Sequence, residues 1–284
     1  MEISQLKQIL KMYDIWPSKG KGQNFLIDES VLEQIVQAAD LKATDKVLEI
    51  GPGLGVLTEK LIKTAGTVLA VELDKKILTY LQTKFIEKKN LKIIEGDILK
   101  IKNQEISDQL GVGYKVVANI PYNITSPIIQ KFLTYEPKPT ELVLLVQKEV
   151  AQRICAQAGD MSILAVSVQM AAQPEIVGYV SKEYFWPVPE VDSAILKLRI
   201  KGVADGSTGL TMTATHEKEF FRIVKIGFSA RRKKLYNNLS AGLKISTEQA
   251  KDALKQAGIG EDVRPQDLSI ENWLNLVASL TVTT

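Results

Sequence analysis

The chain has 284 residues, 45% of them hydrophobic and 24% charged, with a formal net charge of +3; this is the make-up of a globular protein long enough for one large core and a smaller appendage. A single cysteine, Cys155, and a single histidine, His216, exclude an internal disulfide and a Cys/His zinc cluster, so no metal is expected and a reducing, cytoplasmic setting is. No apolar run approaches the roughly 20 residues that span a bilayer, and the N-terminus mixes charge throughout, unlike a signal peptide; no membrane partner is expected, nothing demands more than a monomer, and the charge permits a nucleic acid without requiring one.

An N-terminal extension (1–45) precedes a stretch in which short β-rich segments at 46–50, 67–73, 91–97, 114–120, 140–147 and 195–200 alternate with helical stretches such as 57–65 and 76–88. Such alternation predicts an α/β sheet of parallel strands joined by crossover helices and covered on both faces. Residues 201–220, with Gly202, Gly206, Gly209 and many small polar residues, read as a linker, which sets a domain boundary between 205 and 206. Beyond it, 219–243, 246–258 and 269–280 carry helical spacing of apolar residues, with Ser246 and Ser269 placed as N-caps and Gly258 as a stop. A small helical domain (206–284) is expected after a larger one (1–205).

At 47–61 a strand ends in an acidic residue, passes through Gly51, Gly53 and Gly55 and enters a helix. Glycine there permits positive φ and lets the backbone lie against a ligand at the carboxyl edge of a sheet. The next strand ends at Glu72, where a carboxylate can accept both hydroxyls of a ribose. The one after ends near Asp97, placed to accept from an adenine amino group while Ile98 packs on the ring. These glycines fall as G-P-G-L-G and not as the dinucleotide fingerprint G-x-G-x-x-G. That spacing favours S-adenosylmethionine over a nicotinamide or flavin cofactor. A dehydrogenase would also need a proton-transfer residue, and His216 lies in the expected linker.

The strand at 114–120 runs into Asn119-Ile120-Pro121-Tyr122. An adenine amino group is a poor nucleophile, so it must be oriented toward an activated methyl. The Asn119 side-chain oxygen and the Ile120 carbonyl can each accept one N6 hydrogen, with Pro121 fixing the turn. Tyr122 can then stack on a base that has left its own stack, a contact worth about 1–3 kcal/mol. Farther on, Arg222 and Lys225 precede the run Arg231, Arg232, Lys233, Lys234 on a predicted helix, with Phe228 and Tyr236 interleaved; clustered cations of this kind bind phosphates by counterion release. Lys19 and Lys21 form a second small cluster, before the cofactor elements.

Seven segments in order, GQNFLID (22–28), EIGPGLGVLT (49–58), VELD (71–74), GDIL (96–99), NIPYNITSPI (119–128), FWPVPEVDSAI (185–195) and FSARRKKLYNNL (228–239), make nearly the whole chain similar to the ribosomal RNA adenine dimethyltransferases, most closely their small-subunit branch. The resemblance implies a Rossmann-like class I S-adenosylmethionine methyltransferase sheet with a small C-terminal all-helical domain, and dimethylation of N6 on two adjacent adenines in the 3′-terminal hairpin of 16S rRNA during assembly of the small subunit. It adds Asn24 and Leu26 to the cofactor site beside Gly51, Glu72, Asp97 and Asn119, and it makes Phe185 a cover for the second face of the target adenine. Lys21, where an apolar residue is commoner, and Glu190, where Lys is frequent, depart from the family pattern at the RNA entrance. Two other readings share much of this pattern: an Erm-type enzyme acting on 23S rRNA, and a non-catalytic RNA-binding assembly or transcription factor of the same fold.

Overall fold

The computed structural model describes residues 1–17, 23–202 and 214–282. It divides into two compact units, one formed by Met1–Ala151 with Ala172–Ser207, the other by Gln152–Ala171 with Thr208–Thr284.

In chain order the elements up to the linker are α1 (Ile3–Met12), β1 (Phe25–Leu26), α2 (Glu29–Ala39), β2 (Lys46–Ile50), α3 (Val56–Thr64), β3 (Thr67–Glu72), α4 (Lys75–Lys84), β4 (Leu91–Glu95), α5 (Asn103–Leu110), β5 (Lys115–Asn119), α6 (Thr125–Thr134), β6 (Glu141–Gln147), α7 (Lys148–Ile154), α8 (Ile163–Ala171), β7 (Ala172–Val180), β8 (Phe185–Trp186) and β9 (Ser193–Ile200). The first unit is built on a seven-stranded sheet ordered β4-β3-β2-β5-β6-β9-β7. Strands β2 to β6 run parallel to one another, and Val47, Leu48, Val116, Val117 and Leu144 are fully buried, as strands covered on both faces require. Ile35 of α2 and Leu57 and Leu61 of α3 pack on one face against Val47, Val117 and Val143.

The all-parallel expectation is corrected at one end of the sheet. β9 is antiparallel to both β6 and β7, and an antiparallel neighbour needs no helical crossover. β7 closes that edge and alternates exposed with half-buried residues along its middle, the pattern of an edge strand with one face in water. Two short strands, β1 and β8, pair separately, with Leu26 opposite Phe185.

The second unit holds α8 together with α9 (Ala214–Gly227), α10 (Leu235–Leu243), α11 (Thr247–Gln256) and α12 (Ile270–Val282). Its core joins Met161, Ala165 and Val166 to Phe220, Val224, Leu239, Leu254 and Trp273, and Phe228 stacks on Trp273 with centroids 5.6 Å apart. Residues 152–171 therefore leave the larger unit to which a cut between 205 and 206 assigns them; they carry no linker signal, only apolar residues whose partners lie later in the chain. That cut itself falls outside the described residues. The expected linker is shorter than 201–220, because His216 stands in α9.

The helix read across 219–243 is interrupted. After α9 come a 3-10 turn at Phe228–Ala230 and an irregular stretch to Lys234, which is extended (ψ 143°) and precedes α10. Buried Asn238 explains the break: its amide donates to the carbonyls of Gly227 at 2.5 Å and Ala230 at 3.1 Å, two acceptors that a continuing helix would have used itself. The N-caps agree with expectation. Ser246 accepts from Gln249 N and Ser269 from Asn272 N, each at 3.1 Å, and Gly258 has φ +72°.

Candidate active site

One cavity in the first unit lies at the carboxyl edge of the sheet. Its wall includes Asn24, Leu26, Gly51, Gly53, Glu72, Asn119, Ile120, Pro121, Tyr122 and Phe185, so the elements read separately along the sequence converge on one space. Gly51, Gly53 and Gly55 take φ of +63°, +55° and +73°, values that side-chain-bearing residues rarely adopt. Gly51 N donates to Val71 O at 3.0 Å, which stitches the loop after β2 to the end of β3. A Cβ at Gly51 would meet no protein atom within 4 Å, so the space before it is open.

Glu72 ends β3 and is buried. Its Oε1 accepts from the backbone N–H of Leu73 and Asp74, each at 2.8 Å, and its Oε2 from Gly53 N at 3.4 Å. Burial pushes its carboxyl above the ordinary carboxylate range despite these bonds. The longer contact leaves Oε2 as the oxygen with most capacity for a further donor, such as a ribose hydroxyl.

Asp97 and Ile98 are the expected cofactor residues that do not line this cavity. The Asp97 carboxylate accepts from Leu99 N at 3.0 Å and has Lys100 at 3.7 Å, which ties it to its own turn, and Ile98 is buried. They stand one strand farther along the same edge, since Gly96 N donates to Glu72 O at 2.9 Å. The apolar wall comes instead from Leu54, Leu57, Ile77 and Leu6. Leu6 belongs to α1 and packs with Leu10 in a cluster with Phe25, Ile77 and Leu81. Its spacing of four from Leu10 was the available sequence signal, since it marks one helical face. Sequence reasoning also passed over Glu49, which lines the cavity and is fully buried; Thr58 Oγ1 donates to it at 2.7 Å, and burial pushes its carboxyl up to about 8.

On the other side of the cavity, Asn119 Nδ2 donates to Asn24 O at 3.5 Å. This turns the amide so that Oδ1 is the atom left to accept from a bound group. Ile120 is buried, and Pro121 (φ −56°, ψ 133°) directs the chain into the 3-10 turn Tyr122–Ile124. The Tyr122 hydroxyl shares a 2.7 Å hydrogen bond with Ser193, a buried residue opening β9, and burial raises the pKa of its phenol. Phe185 reaches the cavity wall but is only 1% exposed, packed with Leu26, Leu32 and Val180; as it stands it belongs to the core, and a base-covering role would require it to move.

The basic residues lie in the second unit, and Lys19 and Lys21 fall outside the described residues. Arg222 makes a bidentate pair with Glu219 at 2.6 and 2.8 Å, and Lys234 pairs with Asp262 at 2.5 Å. Lys225, Arg231, Arg232 and Lys233 are exposed. Arg231, Arg232 and Lys233 sit on the irregular turn before α10 and not on a helix. Among the described residues no group of three or more His, Cys, Asp or Glu could hold a metal ion, and no helix is long and apolar enough to cross a membrane.

Comparison with known proteins matches the family model described as "Ribosomal RNA adenine dimethylase" over residues 18–281. A Ribosomal RNA small subunit methyltransferase A from Dehalococcoides mccartyi is 46% identical over 271 residues, covering 95% of this chain and 91% of the relative. Two solved structures share the fold over 91% of the chain. The 23S rRNA methyltransferase ErmE has a TM-score of 0.75 at 28% identity and is covered in full, and a dimethyladenosine transferase from Plasmodium falciparum has a TM-score of 0.74 at 27% identity and is covered to 98%.

Proposed function

From a chain that belongs to the ribosomal RNA adenine dimethylase family, we propose an enzyme that dimethylates N6 of two adjacent adenines in the 3′-terminal hairpin of 16S rRNA, with S-adenosylmethionine as methyl donor, during small-subunit assembly. The observation that carries the chemistry is Asn119, whose Nδ2 is spent on Asn24 O while its Oδ1 stays available in the same cavity as Glu72 and the glycine loop. The small-subunit target is supported by relatives named Ribosomal RNA small subunit methyltransferase A, which match along nearly the whole chain.

The cavity fits the cofactor. Positive-φ Gly51 and Gly53 allow close approach of its backbone-facing side, Glu72 offers a carboxylate oxygen to ribose hydroxyls, and Asn24 and Leu26 close the wall beside them; Asp97 and Ile98 are assigned to the adenine end, next along the edge. When bound, S-adenosylmethionine supplies a methyl carbon already activated by its sulfonium. The chain's own residues do the rest. Asn119 Oδ1 and the Ile120 carbonyl accept the two N6 hydrogens and aim the nitrogen lone pair, and Tyr122, its ring fixed through Ser193, stacks on the flipped base. The exposed cations Lys225, Arg231, Arg232 and Lys233 bind RNA phosphates, with Arg222 and Lys234 available on exchange of their carboxylate partners. The enzyme works as a cytoplasmic monomer in this reading.

The test is Asn119→Ala under single turnover, with cofactor binding measured in parallel. Loss of transfer by about two orders of magnitude or more, with binding of S-adenosylmethionine retained, is expected for a positioned acceptor; near-wild-type transfer overturns the proposed orientation of the amino group.

A further inference from the structure

We propose that Tyr179 and Lys148 form a stacking platform for an unpaired nucleotide that flanks the methylated adenine; this rests on the RNA-methylating reading above and assigns a second contact for the same strand. β9 runs antiparallel to β6, and β7 antiparallel to β9, so β7 runs in the direction of β6. Its last residues, Tyr179 and Val180, therefore stand on the same carboxyl edge as Asn119 of β5 and Gln147 of β6. With the order β5-β6-β9-β7, three strand steps of about 4.8 Å separate β5 from β7 by roughly 14 Å along that edge; Asn119 is in register, through Leu145 and Ile195, with Gly178, so the Tyr179 side chain leaves the sheet on the face opposite to Asn119, and a single strand leaving the target pocket reaches it by crossing the edge.

Tyr179 is 56% exposed, and Lys148 Nζ lies 5.2 Å from the centroid of its ring. An exposed aromatic face beside a cation accepts a nucleobase of any identity. Exposed Glu149, next to Lys148, and Glu190, in the same connection as Asp192, argue against a phosphate-neutralising patch and in favour of base stacking. The platform is also coupled to the target pocket. Lys148 N donates to Asp192 O at 3.0 Å, Ser193 holds the Tyr122 hydroxyl, and Ala194 is the register partner of Tyr179. Asp192, Ser193 and Ala194 thus tie both rings to one stretch of backbone, with Ser193 and Ala194 on opposite faces of the sheet.

Kinetics on unmodified small subunits test the proposal. Tyr179→Ala should raise KM about five- to hundred-fold, the equivalent of one lost base stack, with kcat, cofactor affinity and thermal unfolding unchanged; Tyr179→Phe and Tyr179→Trp should behave as wild type. A photoreactive p-azidophenylalanine at position 179 gives an independent readout, with cross-linking to rRNA within a few nucleotides of the modified adenines expected. Unchanged KM in Tyr179→Ala, or cross-linking to a ribosomal protein or to nothing, overturns the platform. Absence of methyl transfer by the wild-type enzyme would instead overturn the parent reading.

Discussion

Glu72 and Glu49 lie in the same buried cavity wall, and the two carboxylates differ in what holds them. Glu72 accepts from three backbone N–H groups, so Glu72→Ala, which leaves those donors without their acceptor, should cost about 1–3 kcal/mol of stability and weaken binding of S-adenosylmethionine about ten-fold or more; chemical denaturation and titration calorimetry check the two effects. Glu49 has one hydroxyl partner, Thr58, and a pKa pushed from 4.5 to about 8, chiefly by burial. Between those values the unfolded chain has released the proton that the folded chain keeps. Stability therefore falls as pH rises through that window, by at most about 1.4 kcal/mol per unit, and levels off above it. Glu49→Gln, which retains an acceptor for Thr58, should flatten this dependence; thermal unfolding of both proteins from pH 5 to 9 measures it, and parallel curves would contradict it. Of these residues Glu72 was legible because its spacing from the glycine loop carries meaning. Glu49 looked in sequence like one more charged strand end, since its burial depends on α3 packing over it.

At the level of elements, the loop between β2 and α3 was the most legible, because only glycine tolerates the backbone it requires. A Cβ on Gly55 would lie 2.6 Å from the Phe85 ring in addition to the strain of φ +73°, so Gly55→Ala should destabilise the protein by about 1 kcal/mol or more in chemical denaturation. The strand positions were legible for a similar reason, being short apolar runs between helical stretches. The antiparallel β9 was not, since an apolar run carries no direction. The run Arg231–Lys233 was misread as helix because its apolar neighbours keep helical spacing; the break comes from one buried amide, Asn238. Those three cations crowd an exposed turn, and replacing all three with Ala should lower the slope of log affinity against log salt by about 2 to 3 if each meets a phosphate. An unchanged slope would remove this turn from the RNA contact.

For the whole molecule, a chain-continuous division hid the contribution of residues 152–171 to the second unit, whose core needs Met161, Ala165 and Val166 beside Phe220 and Trp273. Sequence alone ranked those apolar residues with the sheet that brackets them. The choice between small- and large-subunit RNA is likewise a property of the whole chain, because a 23S rRNA methyltransferase shares the fold over 91% of it. The direct measurement is transfer of labelled methyl from S-adenosylmethionine to unmodified small subunits and, separately, to unmodified large subunits, with nucleoside analysis of the products. N6,N6-dimethyladenosine in small-subunit RNA alone is the predicted result; label confined to large-subunit RNA, or no label in either while the cofactor still binds, would contradict it.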